Sequence, residues 1–276
     1  VSIPCWQDEL YLEFHRGTYT TKADQKRQHR QAEVLITNTE KLCAIASIMQ
    51  QAEYPKLDLD KAWQGLMLNQ FHDILPGTSI PEVFTDADLV WADVRNICAT
   101  LTNTIFAPSQ TKSQSIANPS FTLWNFLNWT RTEVVEIENL ANEVVNLVSA
   151  SSDSTALPTQ RTEKGLLIVA QDVPSFGAIN YKLLPADSSQ AIADIPPINV
   201  VISDVNTEIY LENQYLKVII NSQTGEIAQI FDRRYGNSLL SQPCELQFFE
   251  DKGQYWDAWN IDPNYESKQL TGLALE

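Results

Sequence analysis

The chain has 276 residues, 43% of them hydrophobic, with 35 acidic against 19 basic side chains and a formal charge of −16. That length suggests one large or two modest domains, with enough apolar residues for real cores. A field of this sign repels phosphate backbones and anionic lipids, which sets aside nucleic-acid and membrane-surface partners and leaves neutral substrates, cations and metals.

The opening VSIPCWQDEL lacks the basic start and apolar run of a signal peptide. No stretch is long enough and apolar enough to span a bilayer. The start at Val1 in mid-pattern and the end at Leu275-Glu276 suggest a piece of a longer protein. Cys5, Cys43, Cys98 and Cys244 form no CxxC pair. A zinc ribbon or thioredoxin-like site is therefore not expected, and reduced thiols point to a cytoplasmic protein.

The first hundred residues read as helical. QAEVLITNTEKLCAIASIMQQ places Leu35, Leu42, Ile45 and Met49 on one amphipathic stripe. After Tyr54-Pro55, Asp58 or Asp60 can cap a second helix carrying Trp63, Leu66, Met67 and Phe71 on one side. It is expected to end near His72, because Pro76-Gly77 cannot continue it. A third helix starts at Ser79-Ile80-Pro81-Glu82, a capping-box pattern with Pro in the first turn. Val83, Phe84, Ala87, Trp91, Val94, Cys98, Leu101 and Ile105 keep the helical period along it. Three such helices with short links make a bundle.

The stretch over 108–120 is polar and bounded by prolines, and reads as a linker. Beyond it, TLWNFLNWTRTEVVEIE, GLLIVAQDV and INYKLLP have strand patterning. The clearest hairpin is YLKVII, a turn over Asn221 to Gly225, and EIAQIF, with a further turn at Arg233 to Asn237. The predicted fold is thus α+β and multidomain. An N-terminal three-helix bundle over 1–107 and the linker over 108–120 are followed by an antiparallel β-sandwich-like domain over 121–276.

The chain has three His, at positions 15, 29 and 72. His29 lies in the basic stretch KRQHRQ and reads as a solvated helix face. His72 and Asp73 are neighbours at an expected helix end. By residue type alone, His72 fits either a favourable partner of a helix C-terminus or one ligand of a metal site. No HxD, DxH or HExxH spacing offers a second ligand.

ELYLEFHRGTYTTKADQKRQHRQAE followed by NQFHDILPGTSI resembles glycoside hydrolase family 38, the zinc-dependent α-mannosidases. NFLNWTRTEVVEI, LENQYLKVIINSQTGEIAQIFDRRYGNSLL and FFEDKGQYWDAWNID are similar to the start of that family's C-terminal β-region, in the same order. The resemblance covers nearly the whole chain. It implies that His72 is a ligand of one zinc ion and that Asp73 hydrogen-bonds hydroxyls of the mannose. It places His15 and Arg16 where they can border the sugar pocket.

The same resemblance implies absences. The family's catalytic α/β-barrel comes first in the chain and carries the Asp nucleophile, the acid/base carboxylate and the other zinc ligands. None of its motifs is found here. The chain is expected to be inactive alone and to depend on that barrel of the same polypeptide for turnover of a mannoside or glycan. The β-region is expected to be truncated, with open strand edges that invite a homo-oligomer. The alternatives are a non-catalytic carbohydrate-binding module or a structural module. Trp256 and Trp259 discriminate: exposed in a row they favour a binding module, and otherwise they serve, with Asp257, core or interdomain packing.

Overall fold

The computed structural model describes residues 3–7, 10, 12–49, 51–110, 120–138, 144–149, 156–157, 159–185, 199–203 and 208–270. Three helices come first: α1 (Ala23–Ile48), α2 (Lys56–Leu68) and α3 (Pro81–Gln110). Antiparallel sheets follow, as the patterning predicts. Their strands are β1 (Ser120–Asn125), β2 (Arg131–Glu138), β3 (Val144–Ser149), β4 (Ala156–Leu157), β5 (Thr159–Arg161), β6 (Gly165–Val173) and β7 (Gly177–Pro185). The series continues with β8 (Asn199–Ser203), β9 (Glu208–Glu212), β10 (Leu216–Asn221), β11 (Ile227–Asp232), β12 (Asn237–Ser238), β13 (Phe248–Phe249) and β14 (Gln269–Leu270). No helix among the described residues is long and apolar enough to cross a membrane.

The bundle core is built from Ala32 and Ile36 of α1, Ala62 and Leu66 of α2, and Trp91, Val94 and Cys98 of α3. Each large apolar side chain buried here contributes about 1.5–3 kcal/mol. Every α3 position from Phe84 to Cys98 that the 3.6 period selects is buried. On α1 the buried face is displaced from the expected stripe. Ala32, Ile36, Thr39, Cys43 and Ala46 are buried with Leu42, whereas Leu35 and Ile45 are half-buried and Met49 is exposed beyond the helix end. Small side chains on that face let the helices approach, so the larger Leu35 and Ile45 fall to its flank. On α2 the buried residues are Leu59, Ala62 and Leu66. Met67 of the expected stripe lies within α2 but off its buried face of Leu59, Ala62 and Leu66 and is exposed, and Phe71 is exposed because α2 ends at Leu68. The residue before α2 is Pro55, with Asp58 inside the first turn, so neither Asp58 nor Asp60 caps it.

Three buried polar side chains of the bundle, Trp91, Gln25 and Asn69, have hydrogen-bond partners. Trp91 Nε1 donates to Gln25 Oε1 at 2.8 Å, and Gln25 Nε2 donates to Asp88 Oδ1 at 2.8 Å. Buried Asn69 donates from Nδ2 to the Ala87 carbonyl at 3.0 Å, which ties the end of α2 to α3. Buried polar groups of this kind are costly when unpaired and specific when paired.

Strands β1, β7, β3 and β4 form one sheet, in that order, and β2, β6 and β5 form another. Leu166, Ile168, Ala170, Val173 and Tyr181 fill a second core, with Phe121, Leu123, Val135 and Ile137 against it. Alternate residues of β6 face this core, as a half-buried strand requires. Gly165 sits so close to the β2 backbone that a Cβ would meet the Ile137 carbonyl oxygen at 2.0 Å.

The chain divides into two compact units, Lys22–Asp194 and the pair Val1–Thr21 with Ile195–Glu276. The helices thus share a unit with β1 to β7, and a hydrogen bond from Lys41 Nζ to the Phe126 carbonyl, 3.1 Å, links α1 to the end of β1. This division runs across the 1–107 and 121–276 partition expected from sequence. The expected linker begins inside α3, which continues to Gln110, and residues 111–119 lie outside the described residues.

In the second unit β12, β11, β10, β9 and β8 form a five-stranded meander. The expected hairpin is present. Asn221 Oδ1 accepts the N–H groups of Gln223 and Thr224, and Gly225 takes the left-handed φ of 72° that closes the turn. At the next turn the Asp232 carboxylate, only 4% exposed, holds Arg234 through its main-chain N–H and its guanidinium, with Nη2 to Oδ2 at 2.8 Å. The Arg234 hydrogen bond is the main cause that pulls the Asp232 pKa below its ordinary value. A carboxyl depressed on folding stabilises the fold above its unfolded pKa, and that contribution fades as pH falls from about 4 toward the lower folded value. Asp232→Asn is therefore expected to lower the melting temperature at pH 7, with the gap to the parent chain closing below about pH 4. A gap that is constant with pH counts against the ionic contribution.

Candidate functional site

His72 and Asp73 lie in a run of turns between α2 and α3, not at a helix C-terminus. The last N–H of α2 geometry is that of Asn69, bonded to the Gly65 carbonyl at 3.3 Å; Gln70 and Phe71 then bond one residue closer, to Met67 and Leu68. This tightening ends the helix four residues before His72. Gly77, buried at φ 91°, turns the chain back, and the Thr78 and Ser79 N–H groups both donate to the Asp73 carbonyl at 3.1 and 3.0 Å. Helix α3 starts directly after, at Pro81. A helix-dipole role for His72 thus has no geometry behind it.

The pair itself is open on one side. The His72 side chain is 75% exposed and that of Asp73 35%, with Nε2 of the first 3.5 Å from Oδ2 of the second. Asp73 Oδ1 accepts the Thr78 hydroxyl at 2.8 Å, which fixes the carboxylate. Phe71 covers one face of the His72 ring, with centroids 4.2 Å apart. A largely exposed imidazole and a partly exposed carboxylate thus stand side by side on a braced turn. Such a pair can give one nitrogen ligand to a divalent cation and accept hydrogen bonds from a bound hydroxyl. Among the described residues no three His, Cys, Asp or Glu side chains converge to hold a metal ion.

The turn is braced from α1. Lys26 Nζ donates to the Leu75 and Pro76 carbonyls at 2.9 and 3.1 Å. Gln70 Nε2 lies 2.9 Å from His29 Nε2, whose ring also meets the edge of Trp91. His29 is accordingly half-buried and engaged with the turn, where the basic stretch around it suggested a solvated face. Lys26, Gln70 and Thr78 were not singled out by sequence. Lys26 and Pro76 are 50 positions apart, and nothing in either segment announces the contact.

His15 and Arg16 belong to the other unit. There the Gly17 N–H donates to the Trp259 carbonyl at 2.8 Å, and Thr21 Oγ1 donates to the Ala258 carbonyl at 2.9 Å. His15 stacks edge-on against Trp259 at 4.9 Å and Phe14 against Trp256 at 5.1 Å. These four aromatics line an apolar cleft of about 440 Å³. The Arg16 guanidinium lies 6.0 Å from the Tyr265 ring. Trp256 is 60% exposed while Trp259 is half-buried, so the two do not form an exposed row, and Asp257 bonds the Ala258 N–H.

The α-mannosidase middle domain model matches residues 13–107, and the glycosyl hydrolases family 38 C-terminal domain model matches residues 211–274. Together these matches cover more than half of the chain. The human protein named alpha-mannosidase 2C1 is 28% identical over 261 residues, 93% of this chain and 22% of that protein. An alpha-mannosidase of Saccharomyces cerevisiae is 33% identical over 273 residues, 94% of this chain and 20% of that protein. The chain thus spans about a fifth of the length of the curated relatives it matches. The crystal structure of an alpha-mannosidase from Enterococcus faecalis superposes with a TM-score of 0.59 at 16% identity, over 80% of this chain and 29% of that one.

Proposed function

Because the chain belongs to glycoside hydrolase family 38, through its middle domain and the start of its C-terminal domain, we propose that it supplies part of the active site of a zinc-dependent, retaining α-mannosidase. The substrate is a glycan with terminal α-linked mannose. The observation that carries this reading is the adjacent His72 and Asp73, the imidazole 75% exposed, on a turn braced from α1. His72 is the metal ligand that this chain gives. Asp73, with Oδ1 occupied by Thr78, offers Oδ2 to sugar hydroxyls. A bound zinc supplies Lewis-acid polarisation and a template for vicinal hydroxyls. The chain's own task is to orient the sugar through Asp73 and to keep the imidazole aimed.

Retention needs two carboxyl groups about 5–5.5 Å apart. No residue pair in this chain is assigned that role, so the nucleophile and the acid/base come from the portion that the relatives carry beyond these residues. The exposed Met67, Leu68 and Phe71 beside His72 are suited to cover by that portion. A cytoplasmic setting is part of the same proposal, supported by four cysteines that all stand as free thiols.

The test compares this chain with a form extended to the length of its relatives, on an aryl α-mannoside, with and without a chelator. Turnover is expected only in the extended form, and the chelator is expected to abolish it. Hydrolysis by the 276-residue chain itself overturns the assignment of the nucleophile to another part of the protein.

A further inference from the structure

We propose that Lys26 is a positioning residue for the His72–Asp73 turn, acting through two main-chain carbonyls and not through contact with metal or sugar. The proposal rests on the reading of His72 as a ligand. The turn is fixed at its start by Asn69, buried and bonded to α3, and by Gln70 against His29. Its far side is fixed by Lys26, from which the Leu75 and Pro76 carbonyls accept hydrogen bonds. His72 and Asp73 are suspended between these two anchors. Both carbonyls accept from a lysine on α1, so this anchor is a tertiary contact and not part of the turn's own main-chain bonding.

Lys26 is half-buried, and burial pushes its pKa down, with Asp24 opposing. Holding a charged amine in such a place is unfavourable unless its hydrogen bonds are strong, and bonds from an ammonium to carbonyls are charge-assisted. The geometric demand is severe, because a ligand and a hydrogen-bonding carboxylate must be held to roughly 0.5 Å for a functional site. No feature of the sequence near Lys26 shows this, since the contact closes a loop of 49 and 50 residues.

Lys26→Met keeps the aliphatic stem and removes both hydrogen bonds. In this chain, hydrogen exchange is expected to run about tenfold faster at the Thr78 and Ser79 N–H groups, with the interiors of α1 and α3 unchanged. Lys26→Arg, which keeps a cationic donor, is expected to restore protection. Unchanged exchange in the turn overturns the proposal, as does a uniform loss across α1 and α3, which marks a residue of general bundle stability. Should the Met variant fail to fold, Lys26→Gln is read by the same two criteria. In the zinc-loaded full-length enzyme, Lys26→Met is expected to weaken zinc binding about 10- to 100-fold, as loss of an outer support typically does. His72→Ala measured alongside separates the two ideas. If it loses zinc and Lys26→Met does not, only the positioning role falls. If it keeps zinc and activity, the ligand reading falls, while the exchange data still decide what Lys26 does to the turn.

Discussion

If His72 is the ligand proposed above, His72→Ala in the full-length enzyme is expected to lower kcat/KM by at least about a hundredfold, roughly 2.7 kcal/mol of transition-state stabilisation, and to release the bound metal ion. The same substitution in this chain is expected to leave stability within about 0.5 kcal/mol of the parent, because the side chain is 75% exposed, beside Phe71 and Asp73. The separation of the two effects is the signature of a residue kept for chemistry. The measurements are metal content after desalting, aryl α-mannoside kinetics, and a urea melt of the short chain. Full metal content and full activity in the variant would leave His72 as a surface residue of a turn. A large loss of stability would make it a structural residue instead.

Trp91→Ala is expected to produce the opposite pattern, a loss of about 3–5 kcal/mol in the stability of the helical unit. Trp91 is 1% exposed, packs with Ile36, Leu66, Val94 and Cys98, and gives its N–H to buried Gln25. Truncation leaves a cavity among all three helices and an unpaired Gln25 carbonyl. A total stability of 5–15 kcal/mol is ordinary for a domain, so much of it is at stake. Trp91→Phe keeps most of the apolar volume and removes the N–H, with an expected cost of about 1–3 kcal/mol. Urea midpoints for the three proteins check the order. Equal stability of parent and Ala variant would mean that this core tolerates a hole the size of an indole. Through His29, which touches Trp91 and bonds Gln70, the loss is also expected to loosen the turn carrying His72.

Periodicity and turn chemistry alone located the three helices, the start of α3 at Pro81, and the hairpin around Asn221 and Gly225. These features depend on neighbours a few residues away, so they are written locally: a 3.6 repeat, a proline that cannot continue a helix, a glycine that accepts positive φ. The role proposed for His72 and Asp73 rests on the family resemblance, because residue type and local spacing leave both a metal ligand and a helix-end residue open. The tertiary structure decided the rest. Which α1 residues are fully buried depended on how closely α2 and α3 approach, a matter of partner volumes that no single helix records. The exposure of Phe71 followed from the end of α2 at Leu68, beside which Asn69 reaches the Ala87 carbonyl of α3. The brace from Lys26, the engagement of His29, and the assignment of residues 1–21 to a unit with residues 195–276 all join positions tens to hundreds apart in sequence. Such contacts form only when the chain is folded, because each depends on two surfaces meeting and not on the preference of either segment alone.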